Sequence, residues 1–400
     1  MKLRLLVAAC ALAALAVVTT AFAASHDGST VLDGRAVLPA DTFAPGPPSG
    51  AAITPANGRT PPFPSQPVQG FSAVLPADGD SFWVMEDNGY GAKANSADFL
   101  LRVYRITPHF ETARHGSGTV SVGSFISLRD PDHEVPWPIV NSTGERLLTG
   151  ADFDIESFRR ADDGTLWFGD EFGPFLVHTS ASGRVLAPPV PLPGVKSPDN
   201  PTLASGEAPT LASSKGFEGM AISQNGKTLY PMLEGALLAD PDQSRRIISE
   251  FSIRSNRYTG RTWSYKVDDP TDSIGDFTQL RGHRFLVIER DQNMGAAAKL
   301  KRIYEVDLND VDANGFLVKH QVVDLLDIAD PAHISLPARP GDIGLGDPFA
   351  MPFVTIESVL PVDDGRLLVI NDNNYPFSAG RNPSRPDDSE FVVLDPPSLH

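Results

Sequence analysis

The sequence predicts an all-β protein, a β-propeller built as a ring of hairpin blades. Three observations carry this expectation. Gly and Pro number 34 and 36 in 400 residues, which leaves little room for long helices. From residue 69 onward, short runs rich in Val, Ile, Leu, Phe and Trp are separated by Asp-Gly, Asn-Gly and Ser-Gly turns. One plan then recurs five times: an entry position, a strand, a Gly-bearing turn, a second strand and an acidic exit.

Along the chain, the first element is a leader over residues 1–24. Lys2 and Arg4 precede an apolar run from Leu5 to Val18, and Ala21-Phe22-Ala23 is a small-x-small cleavage site. The run is too short to cross a bilayer, so it reads as a secretory signal peptide. The protein is expected outside the cell, or in the periplasm where the host has an outer membrane. Cleavage removes Cys10, the single cysteine, and excludes a disulfide framework. Losing Lys2 and Arg4 takes the net charge from −17 to −19. Residues 25–68 form a Pro-rich segment, extended around Ala44–Gly50 and Pro61–Pro64. Its composition suits a tether, a spacer or a lid. The run from Val31 to Leu38 inside it is expected to pair with the last blade and close the ring. Residues 69–400 form the propeller domain.

The repeats are Phe71–Asn88, Ile155–Glu171, Phe217–Glu234, Gly275–Asp291 and Ile356–Asn373. Entry and exit lie 15 residues apart for Ser72/Asp87, Glu156/Glu171, Asp276/Asp291 and Glu357/Asp372, and 16 for Glu218/Glu234. Two antiparallel strands and a turn fill that length, which brings each entry and exit to the same end of its blade. Successive entries are 84, 62, 58 and 81 residues apart. A compact blade takes roughly 40–50 residues, so the two wide gaps leave room for one more. Six blades are expected, with five to seven compatible.

Such a ring gathers acids at one mouth of the central channel. Glu156, Glu218, Asp276 and Glu357 stand at entry positions, with Asp87, Glu171, Glu234, Asp291 and Asp372 at the exits. Ser72 occupies the first entry. Crowded carboxylates are costly unless they are protonated or hold a cation. Oxygen-only ligands suit Ca²⁺ or Mg²⁺ rather than zinc, and none of the nine histidines sits at HxH or HxxxH spacing. The expected metal ligands are therefore Glu156, Glu218, Asp276, Glu357, Asp87, Glu234, Asp291 and Asp372, with Ca²⁺ as cofactor. Individual exit acids have a competing role in capping backbone N–H groups at blade turns. Among the basic residues, Arg290, Lys215, Arg381 and His178 lie close in sequence to these acids and could hold an anion. Salt bridges to the abundant acids are the competing role. The acidic balance argues against nucleic-acid binding and against adhesion to an anionic membrane. No second run is long enough to span a membrane, and no GxSxG, HExxH, Walker or GxGxxG motif occurs.

The segments Asp152–Phe158, Gly169–Pro174, Lys215–Met220 and Ile356–Ser358 resemble those of a bacterial secreted phytase-like family labelled "esterase-like activity of phytase". The resemblance runs from about residue 69 to 395. The stretch Phe217-Glu218-Gly219-Met220 also resembles, more weakly, the Glu-Gly repeats of β-propeller phytases, which bind calcium in an acidic cleft. The resemblance implies a calcium-dependent hydrolase of phosphate esters or small esters; a small anionic ester substrate and a monomer are expected. Glu171 and Arg290 are then the expected catalytic residues, and Lys215, Arg381 and His178 the substrate-binding ones. A non-catalytic scaffold with structural calcium and a metal-dependent lactonase are the alternatives.

Overall fold

The computed structural model describes residues 28–362 and 365–400. The leader assigned to residues 1–24, with Cys10, lies outside them. The described chain opens with β1 (Val31–Leu38) and a ribbon of β2 (Phe43–Ala44) and β3 (Gln66–Pro67). Four four-stranded blades follow. The first is β4 (Phe71–Pro76), β5 (Phe82–Glu86), β6 (Arg102–His109) and β7 (Thr119–Ser127). The second is β8 (Ile155–Arg160), β9 (Leu166–Asp170), β10 (Phe175–Thr179) and β11 (Val190–Pro191). The third is β12 (Phe217–Ile222), β13 (Thr228–Leu233), β14 (Arg245–Ser252) and β15 (Arg257–Lys266). The fourth is β16 (Ser273–Arg281), β17 (Arg284–Arg290), β18 (Lys301–Val311) and β19 (Leu317–Asp324). The fifth blade takes β20 (Ser358–Pro361), β21 (Leu367–Ile370) and β22 (Ser389–Asp395), and borrows β1 as its outer strand.

The inner strands β4, β8, β12, β16 and β20 each pack on the next, and β20 returns to β4, so the ring closes on itself. A separate apolar core fills each blade-to-blade interface. Met85 and Val103 meet Phe158 and Phe168, Trp167 meets Phe217 and Phe251, and Met232 meets Phe277 and Phe285. Ile288 and Ile303 meet Val369 and Leu394, and Phe391 and Leu368 meet Phe71 and Tyr104. Among the described residues there are thus five blades rather than the six expected. The wide gaps contain connecting loops, not a hidden hairpin. After β7 and after β19 the same Asp-Pro-x-His loop appears. Asp130 caps the N–H groups of Glu134 and Val135, and Asp330 caps those of Ile334 and Ser335.

β1 pairs antiparallel with β22 from Val31↔Asp395 to Leu38↔Ser389, as the alternation of its buried side chains requires. This covers the edge of the last blade and ties the first described strand to the last one. The Pro-rich stretch behind it packs as a strap rather than hanging free. Phe63 lies against Phe43 and Tyr375, Ser49 hydrogen bonds with the hydroxyl of Tyr90, and Asn57 donates to the carbonyls of Pro376 and Phe377. The strap therefore clamps the exit loops of the first and fifth blades.

Candidate functional site

In blades one to four the inner strand carries a bulge near its start, where one extra residue faces the axis. The register skips Ser72 between Phe71 and Ala73, Glu156 between Ile155 and Ser157, and Glu218 between Phe217 and Gly219. In the fourth blade it skips Gly275, between Ile274 and Asp276. Glu357 precedes β20 and donates its N–H to Ile370 O. The matching exit residues follow the partners of these pairs: Asp87, Glu171, Glu234, Arg290 and Asp372.

The fourth blade therefore differs from the sequence expectation by one residue at both ends. Asp276 and Asp291 are not in the ring; Gly275 and Arg290 are. The 15-residue spacing is the same for both pairs. Because side chains alternate along a strand, the shift turns Asp276 away from the carboxylates. It accepts hydrogen bonds from Arg159 Nη2 at 3.1 Å, Val359 N–H at 2.9 Å and Phe277 N–H at 2.7 Å. Arg159 reaches it from β8, so this buried ion pair links blades two, four and five. Asp291 accepts from Asn293 and pairs with the buried Lys301 at 2.9 Å. Burial pushes its carboxyl up, but these contacts outweigh burial and hold it below the usual range.

The remaining acids converge. Ligand-capable atoms of Glu156, Glu218 and Glu357 lie within 4.8 Å of one another, as do those of Asp154, Glu156 and Glu171, and those of Glu171, Glu218 and Glu234. All six are buried. Ser72 donates to Glu357 Oε2 at 3.1 Å, which fits its place as the entry residue of the first blade, next to the fifth. Asp87 caps Gly89 N–H, while Asp372 accepts from Asn374 N–H and Thr355 Oγ1. Both capping roles were anticipated for exit acids. Burial, followed by repulsion from neighbouring carboxylates, pushes Glu156, Glu171, Glu218 and Asp87 well above the ordinary range. Burial likewise raises Asp154 to about 6 and Asp372 to about 7.

Two cations meet this group. Arg290 Nη2 lies 2.9 Å from Glu357 Oε1, 3.6 Å from Glu234 Oε1 and 3.8 Å from Glu218 Oε1. Lys215 pairs with Glu234 and is partly exposed. Beside Lys215 opens a cavity of about 310 Å³ whose wall includes Gly235, Arg246, Ser273 and Gln292. Gln292 joins the cavity to the ring, since it accepts from Arg290 Nη1 at 3.3 Å and donates to Ser273 Oγ at 2.6 Å.

The other two expected substrate residues lie elsewhere. Arg381 forms a two-pronged pair with Glu390 at 2.8 and 3.0 Å and stacks against Phe349 and Phe353. Glu390 also accepts both prongs of Arg35 and is held at about 2, because these two arginines overcome its burial. His178 lies on β10 opposite Trp167, stacked at 4.1 Å. It sits three residues from Phe175 at the exit end, about 10 Å along the strand. Sequence proximity to an acid does not carry a side chain to the mouth. Asp154 was missed by the sequence reading, although the Asp154-Ile155-Glu156 alternation is the signal for two acids on one face.

The donor set is oxygen throughout, and three of its atoms have no hydrogen-bond partner: Asp154 Oδ1, Glu171 Oε1 and Glu218 Oε1. Unpartnered buried carboxylate oxygens arranged in triads fit a hard divalent cation.

A secreted protein of Arthroderma benhamiae is 29% identical over 182 residues, covering 36% of this chain and 36% of that protein. The chain thus spans about a third of that relative's length. Among solved structures, a GH43 β-1,3-galactosidase overlays with TM-score 0.40 at 10% identity, over 82% of this chain and 91% of that one. A streptogramin B lyase overlays with TM-score 0.33 at 11% identity, over 90% and 98%. A luciferin-regenerating enzyme overlays with TM-score 0.37 at 10% identity, over 82% and 78%. The model of one family matches residues 66–375, a span that holds every residue of the acid ring, and the chain belongs to that family: the phytase-like proteins, described as esterase-like activity of phytase.

Proposed function

We propose that this protein is a secreted, divalent-cation-dependent hydrolase of phosphate esters or other small anionic esters. The observation that carries the reading is the buried acid ring, with its three triads and three unpartnered oxygens. Family membership supports ester hydrolysis, and the leader over residues 1–24 together with the secreted relative supports export. Among the described residues no helix is long and apolar enough to cross a membrane.

Glu156, Glu218 and Glu357 would hold a cation near the axis, and Asp154, Glu171 and Glu234 complete the neighbouring triads. Ca²⁺ fits an all-oxygen set of this kind outside the cell. When bound, such an ion neutralises the carboxylates, polarises a phosphoryl or acyl oxygen and lowers the pKa of a water. Ser72 fixes one oxygen of Glu357 so that the other meets Arg290. Arg290 is already shared among three carboxylates, so its role is to position them. Lys215, partly exposed at the cavity edge, is the cation available to a substrate anion. Glu171 offers Oε1 to a water or a leaving oxygen beside it.

The test is phosphate release from phytate by the purified protein in millimolar calcium and in excess chelator. Carboxylic esters and lactones run alongside. Calcium-dependent release supports the reading. Turnover of lactones alone would move the assignment to a lactonase. No turnover of any substrate in either condition would leave a binding module.

A further inference from the structure

The ring is not uniform, and its irregular blade has a physical consequence. Entry and exit hold Glu156 and Glu171 in the second blade, Glu218 and Glu234 in the third, and Glu357 and Asp372 in the fifth. The fourth blade has no acid at either place. Gly275 adds no ligand there and cannot be given one, because a Cβ would lie 2.1 Å from the carbonyl oxygen of Ile356. Arg290 enters instead. Its Nη2 sits within 3.8 Å of one oxygen each from Glu218, Glu234 and Glu357. This is the environment that a metal ion would have in the other triads, one positive centre shared by three carboxylates. Glu218 Oε1, which faces Arg290, makes no hydrogen bond and is buried. The guanidinium neutralises that oxygen without satisfying it.

Building on the cation-binding reading above, we infer that Arg290 is a tethered cation that takes the place of a metal ion in the fourth-blade sector. The ring then accepts one divalent cation fewer than its carboxylates could hold. Arg290 is a positioning residue on this view: it fixes Glu234 and Glu357 and confines exchangeable ions to the triads built on Glu156 and Glu171. The charge arithmetic agrees. Removing the guanidinium frees three carboxylates that share one centre, and three carboxylates are enough to recruit a hard divalent ion in their place.

The experiment measures Ca²⁺ bound per chain by equilibrium dialysis, using Ca²⁺ alone as the probe. Wild type is compared with Arg290→Met, Arg290→Gln and the charge-conserving Arg290→Lys. The expected result is one additional Ca²⁺ in the Met and Gln variants and an unchanged number in the Lys variant. Calcium should also raise the melting temperature of the Met variant by more than that of wild type. An equal, non-zero number in wild type and both neutral variants overturns the inference and leaves the cation-binding reading standing. Wild type that binds no Ca²⁺ overturns both, and that outcome is distinct. Failure of both neutral variants to fold in millimolar calcium also overturns it, because a metal ion should replace the missing charge.

Discussion

Replacing Arg159 by methionine removes one half of the ion pair that links three blades at the axis. The Arg159 side chain is 4% exposed, and Nη2 donates to Asp276 Oδ1 at 3.1 Å and to Phe277 O at 3.0 Å. Breaking a buried pair from one side costs about 3–5 kcal/mol, because it leaves a buried charge uncompensated. Asp276 keeps the N–H groups of Val359 and Phe277, which places the expected loss near the lower end of that range, about 3 kcal/mol. The loss has a signed pH dependence. Burial already raises the Asp276 carboxyl above its ordinary value while Arg159 is present, and removing Arg159 raises it further. A raised folded-state pKa means that the folded protein binds the proton more tightly than the unfolded chain. The deficit is therefore largest above the raised folded pKa and fades as pH falls through it. Urea unfolding followed by tryptophan fluorescence at pH 7.5 and 4.5 reads both quantities. The double variant R159M/D276N, which removes the buried charge yet keeps an acceptor for the N–H groups of Val359 and Phe277, should recover part of the stability. A loss under about 1 kcal/mol at pH 7.5, or the same loss at both pH values, would refute the reasoning. Calcium stoichiometry in D276N supplies a second check, since a residue outside the ring should leave it unchanged.

Further predictions follow from the same contacts. E218Q should weaken calcium binding by about tenfold or more yet raise the melting temperature in chelator, because one repelling carboxylate is gone; titration calorimetry and thermal unfolding report the two signs. In chelator, Asp154 at about 6 and Asp372 at about 7 hold protons that the unfolded chain has already released, so thermal stability should fall as pH rises from 5 to 8. Millimolar calcium should flatten that fall, and a melting temperature that climbs over this window in chelator would contradict the assignment. R381A should cost about 3 kcal/mol by leaving buried Glu390 with Arg35 alone, while the KM for any anionic ester stays unchanged. K215M should instead raise KM for an anionic ester about tenfold with little effect on kcat.

The all-β class, the hairpin unit and the crowding of acids at one end of each blade were legible from the order of residues. These depend on local chemistry: turn residues every few positions, and a hairpin length that returns the chain to its starting end. That order also pointed to β1 as the closing strand, because an unpaired final blade would expose an edge. Tertiary structure alone decided the rest. A spacing of 15 residues is preserved when both members shift by one, so no count could choose Asp276 and Asp291 over Gly275 and Arg290. The bulge chose, and with side-chain alternation of period two it reversed which residues face the axis. The number of blades was likewise beyond local reading, since long loops after β7 and β19 fill sequence without adding strands to the ring. Arg381 and His178 lie near acids in sequence, but the loop between β21 and β22 lays Arg381 on Glu390 and strand β10 carries His178 to Trp167. Spacing fixes what returns to the same end of a strand pair; only packing around the axis fixes which side chain points inward.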